Sequence, residues 1–328
     1  MKIKRIFTFL LFSLFILSTP FAYAYRFVVY GDSRGTDGSP SPFNTQILGA
    51  MNAKISHLHP RPKFCFFLGD CVRPSWTRNY VHNNLRDWLG FMKKGLGTIP
   101  FYTAVGNNDL YGNTGWTEFP LQTEFQKLFD FHPSNGPQHY KKLVYSVEYG
   151  HGKERTLFLM LDSFGFYKQN GSLVNFDNGI DQEQLTWVEN KAKKSRAHYK
   201  FVLSHGPAFS IEGWPVNPSI RKVWDIMDAR HFDGFYCAHE HIFSRWNITK
   251  DVYPAKHVMF QSIVGSAGSP LDDISLVKVD FKKAHIYRGY AFIVIDVYKN
   301  KMVQKSYALI PENGTYTTRL LDKFVIKK

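Results

Sequence analysis

Six side chains of the types that bind metal ions stand directly after short apolar runs in this sequence. They are Asp32, Asp70, Asn107, His205, His239 and His241. Carboxylates, an amide and imidazoles suit hard to borderline cations such as Mn, Fe and Zn. His239 and His241 are two residues apart, so an extended chain puts both imidazoles on one side. Two metal ions held by such a set can clamp the attacking and leaving oxygens of an in-line displacement at phosphorus.

The polar residues follow runs that are typical of short buried strands, and amphipathic helices separate the first of them. Strands are predicted over residues 26–30, 63–68, 100–105, 143–149, 155–161, 200–203, 234–237, 290–298 and 302–309. Helices are predicted over residues 44–56, 79–93, 117–129 and 181–195, the last with an Asp181/Gln184 capping box. This alternation predicts an α/β fold, in which ligands bind at the carboxyl ends of strands.

Any one of these polar residues is by itself weak evidence for a site. An aspartate after a glycine at a strand end is commonly a turn residue or a helix cap. A lone His-x-His pair is commonly a surface or core feature. The prediction depends on five such strand-end motifs that occur in order along one chain.

Composition sets the broad class of the protein. The 328 residues are 44% hydrophobic and 16% aromatic, which is enough for a buried core. Residues 25–328 show no repeat or linker and are predicted to form a single domain with an insertion around residues 110–143. The formal net charge of +14 favours an anionic partner such as a phosphate ester. No basic-aromatic repeat calls for a nucleic acid as an obligatory partner.

The first 24 residues have the features of a secretory signal peptide. Residues 1–5 carry three basic side chains, residues 6–18 form an apolar run, and residues 22–24 form a small-x-small cleavage pattern. The apolar run is shorter than the ~20 residues that span a bilayer. We therefore expect an exported chain, periplasmic or secreted, that starts at Tyr25 and has no membrane span. Cleavage would leave a net charge of about +11, still basic.

The chain has three cysteines, Cys65, Cys71 and Cys237. Cys65 lies in an apolar run, as a core residue does. Cys71 and Cys237 each lie near a strand-end motif, so a disulfide between them and three reduced thiols are both open alternatives.

The motifs Gly-Asp-x, Gly-Asp, Gly-Asn-x-Asp, His and His-x-His, in this order, resemble the calcineurin-like metallophosphoesterase superfamily. Purple acid phosphatase-like proteins are the most similar group within it. The segment from His239 to Arg245 is similar to that group's His-x-His-x-Tyr-x-Arg run, and residues 264–268 resemble its glycine loop. The resemblance implies a two-sheet α/β sandwich with flanking helices and the hydrolysis of phosphate mono- or diesters.

The resemblance also implies roles for the six side chains. Asp70 would bridge two metal ions of Fe, Mn or Zn, and a metal-held hydroxide would attack phosphorus in line. Asp32 and His241 would bind the first ion. The second ion would be bound by Asn107, His205 and His239, and Arg245 would belong to the substrate-binding residues.

Two substitutions depart from the family pattern near the first ion. Arg34 stands where much of the superfamily has the histidine of Asp-x-His, and Arg73 stands where purple acid phosphatases have a tyrosine. The first site therefore lacks a protein ligand, so its ion is weakly bound, uses water or another side chain, or is absent. Arg34 is expected either to contact the substrate phosphate through its planar fork or to form a loop salt bridge.

A third departure is Asn108, where the family has the histidine of Gly-Asn-His. An amide donates a hydrogen bond to phosphate but cannot protonate a leaving group. Asp109 is expected to orient its neighbours. Candidates for the missing acid are His132, His139, His151 and Tyr111.

Three functions remain open from the sequence. The first is an exported metal-dependent phosphoesterase, a phosphatase rather than a phosphodiesterase. The second is a catalytically weakened relative that binds metal or phosphate. The third is a secreted phosphodiesterase or nuclease on the same scaffold.

Overall fold

The computed structural model describes residues 23–36, 38–74, 78–109, 120–169, 172–175, 178–213, 216–276 and 283–328. The predicted signal segment up to residue 22 lies outside the described residues, as do residues 110–119 of the predicted insertion. None of the described helices is long and apolar enough to cross a membrane.

Two mixed β-sheets form the centre of the fold. The described strands are β1 (Tyr25–Tyr30), β2 (Phe64–Phe67), β3 (Phe101–Thr103), β4 (Tyr145–Tyr149), β5 (Thr156–Met160), β6 (Phe166–Gln169), β7 (Ser172–Asn175), β8 (Tyr199–Leu203), β9 (Gly234–Cys237), β10 (Phe243–Ile248), β11 (Met259–Val264), β12 (Ala284–Tyr287), β13 (Ala291–Tyr298), β14 (Lys301–Glu312) and β15 (Thr315–Lys327). The first sheet has the order β15-β14-β13-β1-β2-β3, and the second has the order β12-β10-β11-β9-β8-β5-β4. β6 and β7 form a separate hairpin. Strands β1 to β3 are parallel, as are β5, β8, β9 and β11.

Helices flank both sheets. The described helices are α1 (Thr45–Ser56), α2 (Arg78–Leu96), α3 (Pro120–Leu128), α4 (Gln182–Lys194) and α5 (Pro218–Ala229). Helices α1 and α2 pack on the first sheet, and α4 and α5 share a core with the second. This α/β sandwich with flanking helices confirms the predicted fold class.

Aromatic rings fill the space between the layers. The ring of Phe66 on β2 lies 4.9 Å from that of Phe158 in the opposite sheet. The next residue, Phe67, lies 4.8 Å from Trp88 of α2. Successive strand residues point to opposite faces, so β2 is buried on both sides. Burial on both faces explains why residues 63–68 form an unbroken apolar run instead of an alternating one.

The structure corrects two details of the predicted elements. The C-terminal β-pair is a three-stranded unit, because β15 pairs with β14 along its length. The predicted capping box of α4 is only half formed. Asp181 accepts the Gln184 N–H at 2.9 Å, but the Gln184 side chain hydrogen-bonds the backbone of Asp162 instead of that of Asp181.

Candidate metal centre

The carboxyl ends of β2, β3, β8 and β9 bring four of the predicted ligands together. His205 follows β8, and its Nε2 lies 2.9 Å from Asn107 Oδ1 and 3.4 Å from Asp70 Oδ1. His239 follows β9, and its Nδ1 lies 3.1 Å from the same Asn107 oxygen and 3.3 Å from His205 Nε2. An oxygen of Asp70, an oxygen of Asn107 and two imidazole nitrogens thus surround one point.

Asp32 and His241 adjoin this group. Nε2 of His241 lies 3.6 Å from Asp32 Oδ1. Asp32, Asp70 and His205 each offer one ligand atom, and these three atoms lie within 4.8 Å of one another. All six sequence-predicted ligands therefore meet at one edge of the sandwich.

The cluster fits a cation because one oxygen of a fully buried carboxyl group in it, Asp32 Oδ1, lacks a hydrogen-bond partner among the described residues. Asp32 is fully buried, and its Oδ2 accepts the His239 N–H at 3.0 Å, while Oδ1 has no hydrogen-bond partner. Burial and the nearby Asp70 carboxylate raise the pKa of Asp32 well above its usual range. An ionised buried carboxylate is costly unless it is paired or coordinates a metal. Its oxygens and the neighbouring imidazoles are ligands that Mn, Fe and Zn accept.

The rings of His205 and His239 are in the form that binds metal. Burial and the neighbouring His205 lower the pKa of His239 to about 3, so this ring is neutral at pH 7. Nδ1 of His205 lies 2.7 Å from the carbonyl oxygen of Leu68, which fixes the proton on Nδ1. The lone pair of its Nε2 then faces Asp70 and Asn107, as ligation requires.

The backbone at this edge is held in costly conformations. Asp32, Asp70 and His239 have φ values of 60°, 50° and 73°, in the left-handed region that non-glycine residues rarely adopt. Such residues cluster at functional sites, where the surrounding structure maintains them. A Cβ atom at Gly106 would overlap the backbone nitrogen and Oδ1 of Asp70, so only glycine lets β3 end this close to that carboxylate.

Asn108 and Asp109 hold the loops of the cluster in place. The Asn108 N–H donates to Asp70 Oδ1 at 2.9 Å, and its side-chain Nδ2 donates to Asp70 Oδ2. Asp109 is fully buried and accepts the N–H groups of Cys71 and Gly106, both at 2.9 Å. Asp109 therefore ties the loop after β2 to the loop after β3, an orienting position.

Arg34 faces the carboxylate of Asp70. Its Nε lies 3.9 Å from Asp70 Oδ2, is buried, and has no hydrogen-bond partner within the described part of the chain. The side chain as a whole is 24% exposed, so it borders both the cluster and solvent. Arg73, in contrast, donates to the carbonyl oxygen of Ser39 at 2.7 Å and braces a loop.

Asp272 is a contact of the cluster that the sequence did not reveal. Its Oδ2 accepts the His241 N–H at 2.5 Å, and its Oδ1 lies 3.3 Å from His241 Nδ1. Asp272 lies beyond the glycine loop, in no recognisable motif. In the sequence, the one feature that marks Asp272 is its acidic neighbour Asp273.

Arg245, which the sequence analysis placed among the substrate-binding residues, lies in a buried ion pair. Its Nε and Nη2 donate to the two carboxylate oxygens of Asp322 on β15, at 2.6 and 3.2 Å. Its guanidinium carbon lies 4.3 Å from the centre of the Phe324 ring. Both partners of the ion pair are buried. Arg245 therefore joins β10 to β15, and each of its three nitrogens donates a hydrogen bond within the protein.

Replacing Arg245 by alanine should destabilise the fold and spare the site. Removing one partner of a buried ion pair costs about 3–5 kcal/mol, because the other charge is left unpaired. Chemical denaturation should show this loss, while kcat/KM of the folded variant stays at the wild-type value. Arg86→Ala, which breaks the exposed pair with Asp87, is the control and should change stability by less than about 1 kcal/mol. A large loss of kcat/KM at full folding in Arg245→Ala would restore the substrate role.

The candidates for a general acid lie away from these contacts. His132 is buried, its Nε2 accepts the Thr103 N–H at 3.1 Å, and burial lowers its pKa to about 3. His139 lies on the surface, 2.8 Å from Glu183, and His151 is exposed. Tyr111 lies outside the described residues. None of the three described histidines is placed to protonate a leaving group at Asp70.

The three cysteines are free and buried, so Cys71 and Cys237 do not form a disulfide. Burial and the carboxylate of Asp109 raise the pKa of the Cys71 thiol well above its usual range. A thiol held protonated in this way is unreactive.

Comparisons with known proteins agree with this geometry. A family model described as calcineurin-like phosphoesterase matches residues 25–243. A purple acid phosphatase from yellow lupin (Lupinus luteus) seeds is similar in structure, with a TM-score of 0.68, 15% identity, and coverage of 92% of this chain and 53% of that chain. The chain thus spans about half the length of that enzyme. A comparison with curated protein sequences found no match.

Two further solved structures share the fold. The structure of PhoD matches with a TM-score of 0.67 and 13% identity, and covers 94% of this chain and 71% of that one. GAP50, described as the anchor in the inner membrane complex of Plasmodium, matches with a TM-score of 0.59 and 16% identity over 93% of this chain and 89% of its own.

Proposed function

Since the chain belongs to the calcineurin-like phosphoesterase family, we propose that it hydrolyses phosphate esters with the help of two metal ions. The observation that carries the proposal is the convergence of Asp32, Asp70 and His205, whose ligand atoms lie within 4.8 Å of one another. A phosphate ester substrate also agrees with the net charge of +14.

The ligands divide between two ions around Asp70. Asp32 and His241 would hold the first ion. Asn107, His205 and His239, whose donor atoms adjoin one another, would hold the second. Ions of Fe, Mn or Zn in these positions would lower the pKa of water and neutralise charge on the phosphoryl oxygens. Among the described residues, the first site has two ligands of its own besides Asp70, one fewer than the second site, so we propose that it is the weaker one.

Arg34 and Asn108 would bind the phosphate group. The Nε–H of Arg34 is buried and finds no acceptor among the residues that the structure describes, and a guanidinium fork suits the oxygens of a phosphate group. The side-chain amide of Asn108 donates to Asp70 Oδ2 and would orient a phosphate oxygen bound beside Asp70. Asp109 would take part indirectly, because it holds the loop that carries Asn108.

Phosphatase activity is favoured over diesterase activity. Arg34 and the amide of Asn108 supply donors at one place, beside Asp70, and a monoester presents more charged oxygens to such donors than a diester does. A nuclease would instead show an affinity that falls steeply with salt, since it would neutralise several phosphates at once.

The catalytically weakened relative is the second candidate, and one observation favours it. Asn108 donates to both oxygens of Asp70, and Arg34 lies 3.9 Å from one of them. These donors already satisfy part of the charge that two cations would otherwise neutralise. In this candidate the site binds metal or phosphate with little turnover.

Hydrolysis of nitrophenyl phosphate esters tests the proposal. The chain from Tyr25 is supplied separately with Mn, Zn and Fe and offered the mononitrophenyl and the bis-nitrophenyl ester. We expect metal-dependent turnover that chelation removes and a higher kcat/KM for the monoester. No turnover with any metal, from folded protein that binds phosphate, would select the weakened relative. A higher kcat/KM for the diester would reverse the substrate preference.

We also propose that the chain is exported and processed between Ala24 and Tyr25. The charged start, apolar run and cleavage pattern of residues 1–24 support this proposal. β1 begins at Tyr25, so cleavage there would leave the strand complete. The intact mass of the mature protein checks it, since retention of residues 1–24 would contradict export through a cleaved signal.

A further inference from the structure

We propose that Asp272 is a positioning residue that makes His241 an effective ligand of the first metal ion. The inference rests on the proposed function and deepens it, because it names what supports the weaker of the two sites. It concerns a residue outside every motif of the sequence.

The His241 ring is held between two carboxylates. On one edge, Nδ1 lies 3.3 Å from Asp272 Oδ1, and the backbone N–H of the same residue donates to Asp272 Oδ2 at 2.5 Å. On the other edge, Nε2 lies 3.6 Å from Asp32 Oδ1. Asp272 therefore engages both the backbone and the side chain of His241, which fixes the plane and direction of the ring.

This arrangement determines which ring nitrogen of His241 carries a proton when the other nitrogen binds a metal ion. A carboxylate beside Nδ1 accepts a hydrogen bond from Nδ1–H, and the lone pair is left on Nε2, which faces Asp32. A carboxylate in that position also makes an imidazole a stronger ligand, and loss of such a contact typically costs 10–100-fold in metal affinity.

Asp272 is itself held by another residue. Arg288 donates from Nε to the Asp272 carbonyl oxygen at 2.7 Å and from Nη2 to that of Leu271 at 3.4 Å. A carboxylate on a backbone fixed by these contacts presents its oxygens to His241 at little further entropic cost.

The first site depends on this support more than the second does. Arg34 occupies the position that would supply a further histidine ligand, which leaves Asp32 and His241 beside Asp70. The second site has Asn107, His205 and His239, and the ring of His205 is already fixed by the Leu68 carbonyl. Misorientation of His241 should therefore weaken the binding of the first ion and leave the affinity for the second ion unchanged.

Titration of the full mature chain with Mn²⁺ tests the inference. Wild-type protein and Asp272→Asn are compared by calorimetry and by electron paramagnetic resonance of free Mn²⁺. We expect the weaker Mn²⁺ site of Asp272→Asn to lose about 10–100-fold in affinity, while the tighter site changes by less than about threefold. The matched control is Asp273→Asn, because Asp273 is adjacent, exposed and bonded only to Ser275 among the hydrogen bonds described. It should bind as wild type does.

A second readout separates positioning from a general structural role. In ¹⁵N-histidine NMR of the metal-free protein, recorded at a pH at which titration shows the His241 ring to be neutral, the proton should lie on Nδ1 in wild type and the ring should become a mixture of tautomers in Asp272→Asn. Equal Mn²⁺ affinities of wild type and Asp272→Asn, or an unchanged His241 tautomer in Asp272→Asn, would overturn the role of Asp272 while leaving the proposed function intact. Failure of wild-type protein to bind Mn²⁺ would overturn both.

Discussion

Replacing Asp70 by asparagine is expected to lower kcat/KM for nitrophenyl phosphate by at least about 10³-fold. One electrostatic donor alone contributes about 10²–10³ in kcat, and Asp70 would serve both metal ions. The substitution removes the charge that lies 3.4 Å from His205 Nε2 and accepts both donors of Asn108. Steady-state kinetics and metal content per chain, measured on the same preparation, check the two expected losses together.

The control for this variant is Asp87→Asn. Asp87 lies on the exposed side of α2 and pairs only with Arg86 among the ion pairs described, so the same chemical change should leave both activity and metal content at wild-type values. If Asp70→Asn retained more than about a tenth of wild-type activity, Asp70 would not be the shared ligand.

Introducing a histidine at Asn108 is expected to raise hydrolysis of alkyl phosphates by about 10²-fold, the lower end of what a positioned general acid contributes. An alkoxide must be protonated as it leaves, whereas a nitrophenolate leaves without a proton. The described candidates for that acid, His132 and His139, have their hydrogen-bond partners outside the cluster. The wild-type enzyme should therefore hydrolyse nitrophenyl esters at least about 10²-fold faster than alkyl esters, and Asn108→His should narrow that ratio.

Asn108→Ala serves as the comparison, because it removes the amide from Asp70 without adding an acid. It should not accelerate alkyl ester hydrolysis. Equal rates for alkyl and nitrophenyl esters in the wild-type enzyme would show that an acid is already present. An unchanged ratio in Asn108→His would show that this position is not next to the leaving group.

The positions of the six candidate metal ligands could be predicted from sequence because strand ends are local features. An apolar run of four to six residues such as Phe64–Phe67 or Tyr25–Tyr30 marks a buried strand. The polar residue after it must then lie at the carboxyl edge of the sheet. Parallel neighbours bring those edges together, so the cluster follows once the α/β alternation is recognised.

The contacts of Arg245 and Asp272 could not be predicted because each depends on a distant segment. Arg245 binds Asp322, 77 residues further along the chain, and β15, which carries Asp322, mixes threonine, lysine and arginine with its apolar residues. Asp272 reaches His241 through a loop with no repeat or periodic pattern. Similarly, Gln184 fits the local pattern of a capping box, yet its side chain hydrogen-bonds the backbone of Asp162. In all three cases, the side-chain contact depends on tertiary structure and not on the local sequence.

The central claim is that the strand-end cluster is a metal centre, and anomalous scattering from crystals of the mature chain grown with Mn²⁺ tests it most directly. The account predicts a strong anomalous peak among Asp70, Asn107, His205 and His239, and a second, weaker peak beside Asp32 and His241. Anomalous density confined to surface carboxylates, with the cluster filled only by water, would contradict the account.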